Sequence, residues 1–316
     1  MRYVILIFYL SLAGTLVWLG GCNDNPTQPP EPESPAQEYT FVAISDREVM
    51  YIYHPETLEL DSVKIPYRAP YGVTASPDGQ RLYFPCWVNL NPYVCVLDAE
   101  TLEPITYLNY ETQEPVVVSP DNQLMAIVGR DLHIIRTSDF TEIYSDTTSA
   151  RGGVFSADSK AFYCSLGGRT CRFDLSGSQV TRTTWDFGGG MVAHVVPTPD
   201  EELLFTYNHG PSSVLSVYNV AADSVLWADS LVPGGGMVTV TPDGQYAFYN
   251  NPGGQIGPPS DFLLRVFDIT ARDLVAEIPT GTEFDDSLPL MYLPTERMEV
   301  SPDGRWLVLL DSESRV

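Results

Sequence analysis

Ser76-Pro77-Asp78-Gly79 is the first of six similar short segments in this chain. The other five are Ser119-Pro120-Asp121-Asn122, Ser156-Ala157-Asp158-Ser159, Thr198-Pro199-Asp200-Glu201, Thr241-Pro242-Asp243-Gly244 and Ser301-Pro302-Asp303-Gly304. The central Asp recurs at intervals of 43, 37, 42, 43 and 60 residues. A period near forty residues, with strands around a turn, predicts a radial array of small β-sheets.

Each segment lies between two short apolar runs, such as residues 71–75 and 81–84 around the first one. Runs rich in Val, Tyr and Phe and bounded by Pro, Asp and Gly predict two strands joined by a turn, here named A and B. Pro fixes φ at the second position of the turn. Asp tolerates the backbone conformation of the third position, and Gly at the fourth avoids steric strain. A second turn about twenty residues later, as at 97–103, predicts a further strand pair, C and D. Each repeat is therefore predicted to be a four-stranded blade.

The repeats predict twenty-five strands in all. Five blades are complete, at about 71–108, 115–145, 152–185, 192–229 and 236–278. Residues 40–66 supply only B, C and D, and residues 296–311 supply only A and B. The last A strand could complete the first blade and close six blades with one strand spare, or the chain could enter a seventh blade. Because the sequence ends where a C strand should begin, it also suggests a truncated reading frame. The predicted fold is an all-β propeller with six or seven four-stranded blades, the last of them incomplete.

Several segments resemble the YVTN-type β-propeller repeat. They are GVTASPDGQRLYF (72–84), VVVSPDNQLMAIV (116–128), VTVTPDGQYAFY (238–249) and VCVLDAETLEPI (94–105). The resemblance extends to YncE-like proteins, the wider WD40-like set and the β-chain of quinoprotein amine dehydrogenases, and it covers roughly residues 40–311. It implies the fold, whereas propellers of this kind host binding, scaffolding and a few enzymes. The chain has no motif that would carry catalytic residues over from an enzyme member.

The N-terminus predicts export. Arg2 precedes the apolar stretch 4–19, which is about as long as a signal-peptide core and short for a membrane span. It ends in Leu19-Gly20-Gly21-Cys22, which resembles the lipobox of bacterial lipoproteins. The resemblance implies cleavage before Cys22 and lipidation of its sulfur, with a membrane-anchor helix or a chance Cys as the alternatives.

The residues after Cys22 predict a tether. Residues 23–38 are rich in Pro and Glu and almost free of apolar side chains, so they cannot bury a core and stay extended. The sequence thus divides into a signal peptide at 1–21, a tether at 22–38 and a propeller domain at 39–316. We expect a lipid anchor in the bacterial cell envelope, periplasmic or at the cell surface. Asn23 favours the outer membrane by analogy with enteric lipoprotein sorting.

Four further cysteines form two pairs, Cys86 with Cys95 and Cys164 with Cys171, and each pair flanks a B–C hairpin. If the two glycines between Cys164 and Cys171 form a two-residue turn, these cysteines face each other across strands B and C. Their Cα atoms would then be about 5.5 Å apart at a hydrogen-bonded pair, which lies within disulfide range. In an exported chain the pairs predict two disulfides, and the alternative is four reduced, buried cysteines.

The chain is strongly acidic, with 17 basic and 41 acidic residues and a formal charge of −24. Nucleic acid is excluded as a natural partner, because phosphate contacts need a positive surface. Solubility of an extracellular domain accounts for such a charge, and cation binding or repulsion from an anionic membrane are the alternatives.

Because successive strands of a blade alternate in direction, the connecting loops are divided between two faces of the propeller. The A–B and C–D turns share one face, here named the tight face. The B–C and D–A loops share the other, named the insertion face because the long segments 251–261 and 279–295 fall on it. Binding usually resides in long loops on a rigid scaffold, so the insertion face is predicted to be the functional one.

The mouth of the central channel should lie beside the D–A loops. A ring of polar groups there could bind a ligand at the axis. Alternatively, the Gly-rich D–A loops could ease the bend into the innermost strand, with the polar groups merely solvated. The candidate ligand-binding residues are Arg68, Tyr71, Glu114, Arg151, Met191, His194, Met237 and Arg297.

The sequence has no H-x-x-H, D-x-D-x-D-G or G-x-S-x-G motif and no phosphate-binding Gly loop. We therefore predict no catalytic residue, metal or cofactor. The favoured function is a binding or scaffold module for a protein, peptide or glycan partner on the insertion face. The alternatives are a periplasmic propeller enzyme or enzyme subunit, lactonase-like or quinoprotein-like, and a structural component of an envelope assembly.

Overall fold

All regular elements in the described part of the chain are β-strands. The computed structural model describes residues 2–9, 41–44, 49–54, 59–66, 72–88, 91–112, 114–186, 191–209, 214–230, 237–251, 263–279, 297–301, 304 and 306–313.

The strands form seven antiparallel sheets in these residues, and the sheets are named blades 1 to 7. A first strand, β1 (Arg2–Tyr9), belongs to blade 7. Blade 1 has β2 (Phe41–Ile44), β3 (Val49–His54) and β4 (Glu59–Lys64). Blade 2 has β5 (Thr74–Ala75), β6 (Arg81–Val88), β7 (Asn91–Asp98) and β8 (Pro104–Leu108). Blade 3 has β9 (Val117–Val118), β10 (Leu124–Val128), β11 (Leu132–Arg136) and β12 (Glu142–Asp146).

The remaining blades repeat this order. Blade 4 has β13 (Ala150–Phe155), β14 (Ala161–Leu166), β15 (Arg169–Asp174) and β16 (Thr181–Trp185). Blade 5 has β17 (Met191–Pro197), β18 (Leu203–His209), β19 (Val214–Asn219) and β20 (Ser224–Ser230). Blade 6 has β21 (Met237–Val240), β22 (Tyr246–Asn251), β23 (Leu263–Asp268) and β24 (Asp273–Pro279), and blade 7 has β25 (Arg297–Val300) and β26 (Trp306–Glu313). The five complete blades and the A-to-D strand order predicted from the repeats are confirmed.

The A strands lie next to one another around a common centre. Strand β5 contacts β9, β9 contacts β13, and the series continues through β17 and β21 to β25. Each blade therefore places its A strand innermost and its D strand outermost, as in a propeller.

Side chains from facing blades fill the space between them. Alternate residues of β6 point to opposite sides, so Leu82 and Phe84 pack toward blade 1 while Tyr83 packs toward blade 3. Tyr83 lies in one buried cluster with Met125 and Ile127 of blade 3. This alternation makes every blade surface apolar, and the interior residues of both surfaces are fully buried.

The A–B turns share one hydrogen-bond pattern. In five of them the first-position Ser or Thr hydroxyl donates to the Asp Oδ1 over 2.5–2.7 Å. The same carboxylate oxygen accepts the backbone N–H two residues further on, at 2.9–3.1 Å. These hydroxyl hydrogen bonds lower the pKa of Asp78, Asp158 and Asp200. The prediction that these aspartates are turn residues agrees with the geometry.

The fourth position of every A–B turn is left-handed, with φ between 57° and 71°. Gly79, Gly244 and Gly304 adopt this conformation without a Cβ penalty, which explains the preference for Gly there. Asn122, Ser159 and Glu201 adopt it with side chains. All three reach the preceding turn or blade. Asn122 Nδ2 donates to Asp78 Oδ2 at 2.6 Å, Ser159 Oγ accepts the Asp121 N–H at 3.0 Å, and Glu201 Oε2 accepts from Arg172 Nε at 3.0 Å.

Blade 7 has three described strands in the order β25, β26 and β1. Strand β1 pairs antiparallel with β26 along its whole length, from Arg2 opposite Glu313 to Tyr9 opposite Trp306. It occupies the position of a C strand, so the apolar N-terminal run lies where the repeat pattern leaves blade 7 incomplete. The alternative in which the C-terminal A strand completes blade 1 is not the one observed, because β25 pairs with β26 and the sheet of β2, β3 and β4 is separate.

The four cysteines of the hairpins are free thiols, so the two predicted disulfides are absent from the described structure. Cys164 and Cys171 do face each other across β14 and β15, as the Gly-Gly turn predicts. The Cys171 thiol instead contacts Thr184 Oγ1 at 3.4 Å. Cys86 is diagonal to Cys95, which pairs with Phe84, and all four thiols are buried in apolar clusters. They act as small core residues, and burial raises the pKa of Cys164.

Candidate functional site

A polar groove opens between blades 2 and 3 on the insertion face. Its cavity volume is about 560 Å³, which falls in the ordinary range of small-molecule sites. Its lining consists entirely of polar and aromatic residues: Asn109, Tyr110, Glu111, Arg130, Asp131, His133 and Thr147.

The fold brings these residues together from four places in the chain. Residues 109–111 begin the D–A loop after β8, and Arg130 and Asp131 form the B–C hairpin of blade 3. His133 is the second residue of β11, and Thr147 follows β12 at the start of the next D–A loop. The groove is thus built from the two loop types that topology assigns to the insertion face.

Two of the lining residues, Tyr110 and His133, form a cluster with Glu142 of β12. His133 Nδ1 and Glu142 Oε2 are 2.7 Å apart, and the Tyr110 hydroxyl donates to the same carboxylate oxygen at 3.4 Å. The Tyr110 and His133 rings lie 4.5 Å apart between centroids and are tilted by 48°. Contacts on both sides therefore fix the imidazole in place.

Electrostatics in the cluster follow from these contacts. Burial raises the pKa of the Glu142 carboxyl, but hydrogen bonds from Ser145, His133 and Tyr110 outweigh it, so the net pKa is lowered. Burial also raises the pKa of the Tyr110 phenol, with the Glu142 charge adding to the shift. At neutral pH the cluster thus presents a neutral phenol and an ionised carboxylate.

Thr112 holds the loop that carries Tyr110. Its hydroxyl donates to the Glu114 carbonyl at 3.0 Å and to the Val128 carbonyl, and it accepts the Glu114 N–H at 2.9 Å. The loop thereby lies against the end of β10. A Cβ on Gly129 would come within 3.2 Å of the Thr112 Cα, so the close approach favours Gly at this position.

The residues predicted for the channel mouth lie elsewhere, on different A strands around the axis. Arg151 is on β13, Met191 and His194 are on β17, and Met237 and Arg297 begin β21 and β25. Strands β13 and β17 both shift register beside this mouth, at Arg151/Gly153 and at Val192/His194.

Other parts of that prediction fall at or beyond the edge of what the structure describes. Glu114 precedes β9, whereas Arg68 and Tyr71 lie outside the described residues. Of the two long insertions, only the terminal residues Asn251 and Pro279 are described. The ring of ligand-binding groups at the axis therefore stays a prediction.

Sequence reasoning missed the groove, although it predicted the face. His133 was considered only for metal spacing, and Tyr110 and Glu142 were not considered at all. The available signal was an aromatic residue in one D–A loop and a charged B–C turn, Arg130-Asp131, in the next blade. That signal identifies a site only once neighbouring blades are known to face each other.

Within the described ranges, His, Cys, Asp and Glu side chains form no group of three or more that could hold a metal ion. The same ranges contain no helix that could cross a membrane.

Comparison with known proteins supports the fold. No family model matches the sequence, and no curated protein does either. Solved structures do match. A chain of the Mitotic Checkpoint Complex has a TM-score of 0.62 at 13% identity, with 95% of this chain and 99% of that chain covered. Hydrazine Synthase of Kuenenia stuttgartiensis has a TM-score of 0.58 at 19% identity, with 78% and 75% covered.

A third structure, the dihydro-heme d1 dehydrogenase NirN in complex with DHE, has a TM-score of 0.58 at 15% identity, with 89% of this chain and 70% of that chain covered. These neighbours are β-propeller proteins, and the chain is an all-β propeller. At such low identities the likeness shows the fold alone.

Proposed function

We propose that the protein is a binding module of the bacterial cell envelope that holds its partner against the insertion face, with the groove between blades 2 and 3 as the principal contact. The observation that carries the proposal is the groove itself. It gathers seven polar and aromatic side chains from two blades around the fixed His133–Glu142 pair. Convergent polar groups in a concave site fix the orientation of a bound ligand.

Rigidity of the scaffold favours binding. The groove loops are short and continue directly into strands, and Thr112 ties one of them to β10. A preformed site loses little conformational freedom on binding, so more of its contact energy contributes to affinity. The partner is a protein, peptide or glycan, and the net charge of −24 argues against polyanions.

A lipid anchor on Cys22 would hold the propeller at the membrane, with residues 23–38 as the spacer. This part of the proposal rests on the lipobox-like Leu19-Gly20-Gly21-Cys22. Cleavage before Cys22 removes β1 and frees the outer edge of β26, so the processed protein and the full chain differ in blade 7.

Site-specific photo-crosslinking in the native cell tests the binding face. Crosslinkers at Asn109 and Thr147 report on the groove, and crosslinkers at Glu202 and Gln245 report on the tight face of the same molecule. We expect partner adducts from the first pair and none from the second. Equal yields from both faces, or adducts from the tight face alone, would refute the proposal.

One observation favours a second candidate function. The Glu142 carboxylate holds His133 Nδ1 at 2.7 Å, which leaves Nε2 to exchange a proton with a ligand, as in general acid–base catalysis. A lactonase-like enzyme would use such a pair. Lactone hydrolysis by the wild type that falls at least tenfold in His133→Ala would establish this function, and equal rates would exclude it.

A further inference from the structure

We infer that the groove between blades 2 and 3 binds a neutral saccharide. The inference rests on the proposed function, because it names the ligand class of the same site. It follows from the chemistry of the lining, the aromatic surface beside it and the charge of the protein.

The lining matches hydroxyl groups rather than apolar ligands. Its seven residues include no aliphatic side chain, so an acyl chain or an apolar peptide anchor would bury little surface there. They offer acceptors at Glu111 and Asp131 and donors at Asn109 and Arg130. Sugar hydroxyls donate and accept at once, and a buried donor or acceptor must be paired on binding, so mixed donors and acceptors suit a saccharide.

Charge argues against anionic ligands in the groove. Two carboxylates line it beside one guanidinium, and a third carboxylate, Glu142, is paired with His133. A phosphate, sulfate or uronic acid would meet these carboxylates and the overall charge of −24. A neutral ligand avoids this repulsion.

Aromatic rings supply the apolar contact that the C–H face of a sugar needs. The Tyr110 ring lines the groove and is held against His133. Trp87, near the end of β6, has the same parity along the strand as Tyr83, so it is on the side of blade 2 that faces blade 3, and 40% of its surface is exposed. Exposed Trp and Tyr provide large, rigid contact areas with a polar edge.

The size of the groove sets the length of the ligand. A volume of about 560 Å³ accommodates a short oligosaccharide.

Binding of defined oligosaccharides to the purified propeller tests the inference. The probes are immobilised neutral gluco-, galacto-, manno- and N-acetylglucosamine oligomers, with uronic-acid and sulfated oligomers and a random peptide set as the other arms. Affinities of the positive probes are then measured by titration calorimetry for wild type, Tyr110→Ala, Asp131→Ala, Tyr110→Phe and the control Glu202→Ala, which removes an exposed carboxylate from the tight face.

We expect binding to a neutral oligomer that weakens about tenfold or more in Tyr110→Ala and Asp131→Ala, by the loss of a ring contact or a paired acceptor. Tyr110→Phe keeps the ring but loses the hydroxyl, so it should lose less affinity than Tyr110→Ala, whereas Glu202→Ala should stay near wild type. Selection of anionic oligomers or peptides alone, neutral binding that survives both alanine variants, or no saccharide binding at all overturns the inference. In that last case groove crosslinks to a protein partner would leave the proposed function standing, and their absence would remove both.

Discussion

Asn122 donates a hydrogen bond from Nδ2 to Asp78 Oδ2 over 2.6 Å, and this bond joins the A–B turn of blade 3 to that of blade 2. Asn122 also holds the left-handed position of its own turn, with φ at 59°. One residue therefore shapes a turn and links two blades. The repeated motif sets the register within each blade and, on the tight face, the contact between neighbours.

Asn122→Asp should destabilise the propeller through this contact. Asp tolerates the left-handed conformation and keeps the shape, but it replaces a donor by a second carboxylate beside Asp78. We expect a loss of about 1 kcal/mol in the free energy of unfolding at low ionic strength, reduced in high salt by screening. Urea unfolding at two salt concentrations measures the effect. A loss of unfolding free energy that does not depend on salt, or no loss at all, would show that the 2.6 Å contact does not contribute to stability in this way.

Glu201 links blade 5 to blade 4 in a different way. Its Oε2 accepts from Arg172 Nε at 3.0 Å and from the Tyr163 hydroxyl, and Arg172 also reaches Asp174 at 3.2 Å. Glu201→Gln removes the charge that faces the half-buried guanidinium, so we expect a destabilisation of about 1–3 kcal/mol in denaturant unfolding. Glu202→Gln next to it is the matched control and should change the unfolding free energy little. Equal stability of the two variants would contradict this role.

The A–B turns should make the protein sensitive to acid. The Ser76, Ser156 and Thr198 hydroxyls lower the folded-state pKa of Asp78, Asp158 and Asp200. A lowered folded pKa contributes stability above the unfolded value of about 3.9, and that stability is lost as the pH falls through the folded pKa. Thermal unfolding between pH 6 and pH 3 should therefore show Tm falling below about pH 4. Ser156→Ala removes one hydroxyl donor and should flatten that fall, and a profile as steep as that of the wild type would argue against the hydroxyl as its cause.

Anchoring depends on Cys22. Cys22→Ser should abolish the lipid modification and release the protein from the membrane fraction, whereas Cys86→Ser, in a buried core position, should not. Mass spectrometry of the membrane-bound wild type should find an N-terminus at a diacylated Cys22. A mature protein that retains residues 2–9 would show that β1 is a permanent strand of blade 7 and that the leader interpretation is wrong.

Most of the fold could be predicted from sequence because turn chemistry is local. Pro77, Asp78 and Gly79 restrict φ and hydrogen bonding within a few residues, and the repeat then fixes the order of strands. Blade closure could not be predicted in this way, because the pairing of β1 with β26 joins the two ends of the chain through backbone groups that carry no sequence signature. Cysteine spacing left two disulfides and four reduced, buried cysteines both open, and the structure has the four free thiols.

Only part of the candidate binding groove could be predicted from the sequence. Loop topology assigns the groove loops to the insertion face, but the groove residues come from two blades and no single segment identifies them. Tyr110 and His133 are 23 positions apart, and their 4.5 Å ring contact depends on how blade 2 packs on blade 3. Packing between blades depends on side-chain shapes across the whole interface, and a single sequence does not encode it in any short motif.

Hydrogen–deuterium exchange of the protein in complex with its partner tests the central claim most directly. The account predicts slowed exchange in peptides that cover residues 109–112 and 129–133, with the A–B turns unchanged. Protection confined to the starts of β17 and β21 would instead place binding at the channel mouth, and protection of the A–B turns would place it on the tight face. Either result would contradict the assignment of the groove between blades 2 and 3 as the binding site.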